Sequence, residues 1–364
     1  MTRSAWYIGG VDDDALGPIA IWTDGRFGKP GTKTASGLIL LGERWSVVCV
    51  VDEAQAGRDA GDVLGVEYLG VPVLATLDEA RAVGAHSVLV GVNTMDADTF
   101  VPPRLKSFAL SAIGAGFNVI CGTHAHLEDD EDLTEAAAKA GVRLLDVRSE
   151  APRLSWSPNR QTRATVILTV GTDSAVGKMT TSILMHREAK RRGLRSGFVA
   201  TGQIAAMCGA DAVACADHTY ADFIIGSIQD AVVQVAEQGR DLIFVEGQGA
   251  ILHRAYGGGI LNVLFGAGPD AIVMCHNTDR VERAMFPGLR VAPVVDELEV
   301  VQDLAQRVGI PAKLAGYSVF GARPFEPPAD HPGPVVNMRD ASASGVLLDS
   351  VLAVTGHAQL FPVP

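Results

Sequence analysis

Residues Val166 to Ser182 read VILTVGTDSAVGKMTTS. An aliphatic, β-branched run from Ala164 to Val170 stops at Gly171, and helical spacing resumes at Ile183 and Leu184. The order is strand, glycine-bounded loop, lysine, hydroxyl residues, helix. Such a loop turns successive backbone N–H groups toward phosphate oxygens, and the following helix points its N-terminus at the same anion. The cradle consists of Gly171, Thr172, Asp173, Ser174, Ala175, Val176, Gly177, Lys178, Met179, Thr180 and Thr181. Lys178 reaches the terminal phosphates, and a hydroxyl just after it ligates Mg²⁺ in the usual arrangement. Two positions depart from that arrangement. Thr172 stands where the first glycine is normal, and Met179 stands where the metal-binding hydroxyl is normal. A magnesium site then needs Thr180 or Thr181.

Around this stretch the chain alternates strand and helix. A length of 364 residues suggests two domains, which we place at 1–150 and 164–364 with a linker over 151–163. The linker, from Ser149 to Arg163, carries Pro152 and Pro158 and little apolar content. Hydrophobic residues make up 48% and charged residues 20%, enough for a large core, and 40 glycines suit many tight strand–helix turns. The net charge of −12 argues against nucleic acid or an anionic membrane as partner. The five cysteines form no CxxC pair and lie partly in apolar runs, as small buried hydrophobes do. No signal peptide is visible in MTRSAWYIGGVDDD, and glycines, Asn118, His124 and His126 break the uncharged run from Ser107 to Leu127. The expectation is a reduced, cytoplasmic protein.

In the first half, strands are expected at Gly17–Thr23, Ser46–Val51, Gly70–Leu74, His86–Val92, Phe117–Cys121 and Val142–Val147. Helices are expected at Lys33–Leu41, Leu77–Val83, Arg104–Ala115 and Glu128–Ala140. This alternation implies a mostly parallel, helix-covered sheet. Asp52 ends a strand, where dinucleotide folds bind a ribose, but no GxGxxG precedes it, so a Rossmann-like domain without a dinucleotide is the better reading. His124 and His126 follow a strand end, and no third metal ligand is in sight.

In the second half, strands are expected at Ser196–Ala200, Leu242–Val245, Asp270–Cys275 and Ala312–Val319, and helices at Phe223–Glu237, Val295–Val308 and Ala343–Val354. The alanine-rich stretch from Thr201 to Asp222, with Asp217 and His218, reads as a long functional loop. Glu246 ends an apolar strand and is either the second Mg²⁺ anchor or a helix cap. His253 and Arg254 contact substrate or phosphate, or are solvated. Asn277 reads a nucleotide base or forms a plain turn.

The whole chain resembles a bacterial family that joins a Rossmann-like N-terminal domain to a P-loop C-terminal domain like dethiobiotin synthetase. The residues that carry the resemblance are Gly116–His124, Gly141–Arg148, GTDSAVGKMTT at Gly171–Thr181, ATGQ at Ala200–Gln203 and VEGQGAILH at Val245–His253. The resemblance implies an α/β protein with a doubly wound P-loop domain, and one branch contains D-glutamate N-acetyltransferases. The segment Met207–Cys215 departs from the glycine-rich pattern expected after ATGQ.

Three functions compete. The first is an ATP–Mg²⁺ enzyme that activates or modifies a small amino or carboxylic acid. In it, Lys178 neutralises phosphate charge, Thr180 and Glu246 hold the metal, and the loop after Thr201 covers the substrate. The second, which the resemblance implies, is an acetyl-CoA-dependent N-acetyltransferase. There the loop holds the cofactor's phosphates, and Asp217, His218 or His253 acts as base. The third is a nucleotide-gated regulator. A homo-oligomer is expected in each case.

Overall fold

The computed structural model describes residues 16–92, 100–148 and 153–356. Chain contacts divide the protein into two units, residues 1–149 with 206–209, and residues 150–205 with 210–364.

The first unit is built on strands β1 (Ile19–Trp22), β2 (Val47–Val51), β3 (Val73–Leu74), β4 (Ser87–Val90), β5 (Asn118–Cys121) and β6 (Leu144–Asp146). Helices α1 (Lys33–Leu41), α2 (Ala60–Leu64), α3 (Leu77–Ala82), α4 (Pro103–Gly114) and α5 (Glu131–Ala140) connect them. All strand pairs are parallel, in the order β3-β2-β1-β4-β5-β6. That is the Rossmann order, which reverses direction between β1 and β4. β1 and β4 are buried along their whole length, as strands covered on both faces must be. Asp52, at the end of β2, is turned to structural use. Its Oδ2 accepts from Thr23 Oγ1 at 2.6 Å and Phe27 N at 2.8 Å, and its Oδ1 accepts from Gln55 N at 3.1 Å.

From the second unit's first strand the chain runs β7 (Thr165–Gly171), α6 (Lys178–Arg191), β8 (Ser196–Ala200), α7 (Gln203–Gly209, of which residues 206–209 count with the first unit), β9 (Ala212–Val213), α8 (Ala221–Glu237) and β10 (Leu242–Val245). It continues with α9 (Gly257–Ala267), β11 (Ala271–Asn277), α10 (Val294–Arg307), β12 (Lys313–Phe320), β13 (Val335–Asn337) and α11 (Ala343–Val354). The sheet of this unit is also wholly parallel, in the order β13-β12-β11-β7-β10-β8-β9. β7 is central and buried at every residue, between β11 and β10. The chain leaves β7 toward β8 on one side and later crosses back to β11 on the other. The carboxyl end of β7 therefore sits at the switch point where doubly wound sheets bind ligands.

Helices α2 and α9 and strand β13 have no counterpart among the expected elements, and two further stretches differ from their sequence reading. The expected long loop after Thr201 contains α7 and the short edge strand β9. These elements are too short, at seven and two residues, for hydrophobic periodicity to show. The described part of the expected linker is fastened to α8. Gln229 accepts from Ser157 N and donates to the carbonyls of Ser157 and Arg160, at 2.7–2.9 Å. Gly226 lets the chain cross closely, since a Cβ there would lie 1.9 Å from Leu154 O. Residues 149–152 of that segment lie outside the described residues.

Candidate functional site

The phosphate loop leaves β7 at Gly171 and enters α6 at Lys178. Gly177 sits just before the helix at φ 98°, and a Cβ there would fall 1.8 Å from the Phe320 ring. Glycine is thus required both by conformation and by the close approach of β12. No side chain caps α6, so its first amides point outward as donors for an anion. Lys178 is buried, and its Nζ donates to Asp173 O at 2.7 Å. Burial pulls its pKa down to about 8, although Cys275, Asp173, Glu246 and Glu297 oppose the fall. A phosphate beside it would restore the charge.

The hydroxyls after Lys178 have different occupations. Thr181 is fully buried and shares a hydrogen bond with Ser318 Oγ at 2.8 Å. Ser182 bonds Thr169 Oγ1 at 3.0 Å and Val245 O at 3.3 Å. Both hydroxyls tie α6 to neighbouring strands. Thr180, half-buried, is left as the hydroxyl for a metal, with Met179 also half-buried beside it.

Glu246 follows β10 and faces the turn after β8. Its Oε2 accepts from Thr201 N at 3.1 Å and Gly202 N at 3.0 Å. Gln248 supports this turn through Nε2, which donates to Thr201 Oγ1 at 2.9 Å. Oε1 of Glu246 takes no hydrogen bond among the described residues. Burial pushes the carboxyl up to about 7, with Asp217 adding to the rise, while the two amides and Lys178 oppose it. A buried carboxyl whose proton affinity is raised toward neutrality beside a phosphate cradle is a candidate proton-transfer group.

Behind the loop lies a charged layer. Asp173 is fully buried, and its Oδ2 accepts from Ala284 N at 2.9 Å and Arg280 Nη1 at 3.2 Å. Arg280 also donates to Ser174 O, and Arg283 donates to Thr172 O at 3.1 Å and Leu252 O at 3.0 Å. His253 is buried, and its Nδ1 accepts from Ala255 N at 3.1 Å and Tyr256 N at 3.2 Å. Glu297 of α10 is completely buried and accepts from Ile251 N and Leu252 N, so that it holds the loop that carries His253. Desolvation pushes it up to about 7.

Lys178, Glu246 and His253, all candidates in the sequence, lie close enough to influence one another electrostatically. His253, however, faces the back of the loop, and accepting two amides at Nδ1 leaves its proton on Nε2. It is therefore not placed to take a proton from a substrate. Asp217 is exposed and influences Glu246 electrostatically, while His218 N donates to Cys215 O at 3.1 Å in the same loop. Asn277 Oδ1 caps a turn by accepting from Asp279 N at 3.1 Å. Arg280, Arg283, Glu297 and Gln248 were missed as site residues. Only Gln248 carried a signal, since it stands inside the VEGQG block.

Elsewhere, a cavity of about 840 Å³ opens near Thr165 and Val166, at the end of β7 opposite the phosphate loop. Among the described residues, no group of three or more His, Cys, Asp or Glu side chains could hold a metal ion. All five cysteines are buried and outside disulfides. No helix of the described residues is long and apolar enough to cross a membrane.

A Rossmann-like sheet and a P-loop sheet in one chain define a two-domain α/β protein of the P-loop class. Residues 53–150 match the family described as a domain of unknown function (DUF1611_N), Rossmann-like domain. Residues 153–323 match the domain of unknown function (DUF1611_C), P-loop domain. The chain belongs to this DUF1611 family. It is 34% identical over 244 residues to a protein of Tritonibacter scottomollicae named D-glutamate N-acetyltransferase, covering 67% of this chain and 72% of that one. A protein of a Pseudoalteromonas species with the same name is 32% identical over 202 residues, covering 56% of this chain and 59% of that one. A crystal structure of a DUF1611 family protein from Anabaena variabilis superposes with a TM-score of 0.80 at 26% identity, covering 93% of this chain and 99% of that one.

Proposed function

We propose that the protein is an acetyl-CoA-dependent N-acetyltransferase acting on the amino group of an amino dicarboxylic acid such as D-glutamate. One observation carries the reading: a phosphate cradle whose metal-hydroxyl position is Met179 stands beside a buried carboxyl, Glu246, that titrates near pH 7. The names of the two relatives agree with it. The cradle fits a cofactor bearing phosphates, because the uncapped start of α6 and Lys178 offer an anion several donors. It fits Mg²⁺ less well. Thr181 and Ser182 are committed to neighbouring strands, and one oxygen of Glu246 is committed to two amides.

In this reading the loop amides and Lys178 hold phosphate oxygens of the cofactor. When bound, acetyl-CoA supplies a thioester carbonyl as the electrophile. Glu246 Oε1 takes a proton from the substrate's ammonium group, and the turn at Thr201 and Gly202 keeps the carboxyl in place through Oε2. A pKa near 7 lets the same group release that proton to water afterwards.

The test is turnover by the purified full chain with acetyl-CoA and D-glutamate, following free thiol release. Thiol release that persists in EDTA without ATP is expected. Product formation that requires ATP and Mg²⁺, with no thiol released, would overturn the reading in favour of phosphoryl transfer.

A further inference from the structure

Two buried polar atoms behind the phosphate loop have no hydrogen-bond partner: Asp173 Oδ1 and His253 Nε2. They face each other at 3.6 Å, and Arg283 Nη1 lies 3.8 Å from the same Asp173 oxygen. Both side chains are almost wholly inaccessible, at 0% and 1% exposed. Leaving such groups unpaired in the interior is unfavourable, so the arrangement needs a reason.

The geometry supplies one. The Nδ1 atom of His253 accepts two amides, so the ring carries its proton on Nε2, aimed at Asp173. Burial and the nearby Arg283 hold the ring neutral by lowering its pKa, against the pull of Asp173. Asp173 is pinned by Oδ2, which accepts from Ala284 N and Arg280. Its main-chain carbonyl is the resting acceptor for Lys178 Nζ. When Lys178 turns to a phosphate, that carbonyl is released. A shift of about half an ångström around the pinned Oδ2, from the resting 3.6 Å, then brings Oδ1 into hydrogen-bond range of His253 Nε2.

We propose that Asp173 and His253 form a latch that closes when an anion draws Lys178 off the Asp173 carbonyl, and so fixes the loop in its occupied shape. His253 is then a positioning residue that acts on the bound phosphates through Asp173. The inference rests on the phosphate-binding reading of the loop, though not on which cofactor carries the phosphates.

Two substitutions separate the two ring nitrogens. His253→Gln keeps a donor near the ε position, and His253→Asn keeps an acceptor near the δ position. The probe is inorganic pyrophosphate, with affinity measured by calorimetry and folding by thermal melting. The latch predicts that His253→Gln binds within threefold of wild type while His253→Asn loses tenfold or more. The reverse ranking would show that the ring merely caps the Ala255–Tyr256 turn, and would overturn the latch. Should either variant fail to fold, the wild-type chain decides by nitrogen-15 NMR. The His253 Nε2–H resonance moves on saturation with pyrophosphate if the latch closes, and an unmoved resonance overturns it. Wild type that binds no pyrophosphate would sink the phosphate-loop reading itself.

Discussion

Glu246→Gln should make the protein more stable above neutral pH while removing its activity. In the fold the carboxyl titrates near 7 instead of 4.5, chiefly because it is desolvated. The sign follows from proton counting. Between pH 4.5 and 7 the native state holds a proton that the unfolded state has released, so stability falls as pH rises through that window. At about 1.4 kcal/mol for each tenfold change in proton affinity, the full loss by pH 8 is roughly 3 kcal/mol. Glutamine keeps a carbonyl oxygen for Thr201 N and Gly202 N and never ionises, so it escapes this loss. Glu297 also titrates near 7, but it is common to both proteins and cancels in their difference. Calorimetric melts at pH 5, 6, 7 and 8 should show the variant gaining on wild type by about 1–3 kcal/mol across the series, several degrees in a domain of this size. In parallel, turnover should drop by roughly 10²–10⁴, the usual contribution of a positioned general base. A stability difference that stays flat from pH 5 to pH 8 would refute the assignment of a neutral buried carboxyl. A variant that retains full turnover would refute its role as base.

Lys178→Met should bind pyrophosphate and acetyl-CoA at least 100-fold more weakly by calorimetry while melting no lower than wild type at pH 7, because the substitution keeps the buried stem and removes a charge that burial disfavours. Gly177→Ala should lower the melting temperature sharply or prevent soluble expression, since the new methyl meets the Phe320 ring at a left-handed backbone position; Gly258→Ala, in a helix with open space around its Cβ position, serves as the tolerated control.

How much of this was legible depended on whether a signal was local. The strands Ser196–Ala200 and Leu242–Val245 and the helix Lys33–Leu41 have the expected bounds, because short apolar runs there end at unmistakable turn residues. Helix α9 was not anticipated. Its sequence, GGGILNVLFGA, opens with three glycines, and its apolar residues cover most of its circumference, as in a buried helix. Helix α2 is five residues long and left no periodic trace. The same distinction runs through the site. Residues that face an anion are marked by a contiguous pattern, because one loop and one helix start must supply all the donors. Residues that hold the loop from behind come from wherever the sheet brings them. Arg280 and Arg283 reach the loop because β11 lies beside β7, although they stand more than 100 residues further along the chain. Glu297 holds the His253 loop from α10 in the same way.

The role of His253 depends on this hidden layer. In the sequence it is one histidine shortly after an acidic strand end, and a base is the natural reading. Its two backbone donors at Nδ1 fix the tautomer, and only tertiary structure reveals them. Once Nε2 carries the proton and points at Asp173, the ring can give a hydrogen bond to the loop but cannot accept a substrate's proton. Glu246, first read as a metal anchor, is the buried group whose proton affinity lies near neutrality and whose second oxygen is not already committed to the backbone. In the proposed reading, the exchange of roles between these two residues favours proton transfer at an amine over metal-assisted phosphoryl chemistry, and proton transfer at the amine is the step that the proposed N-acetyltransferase would perform.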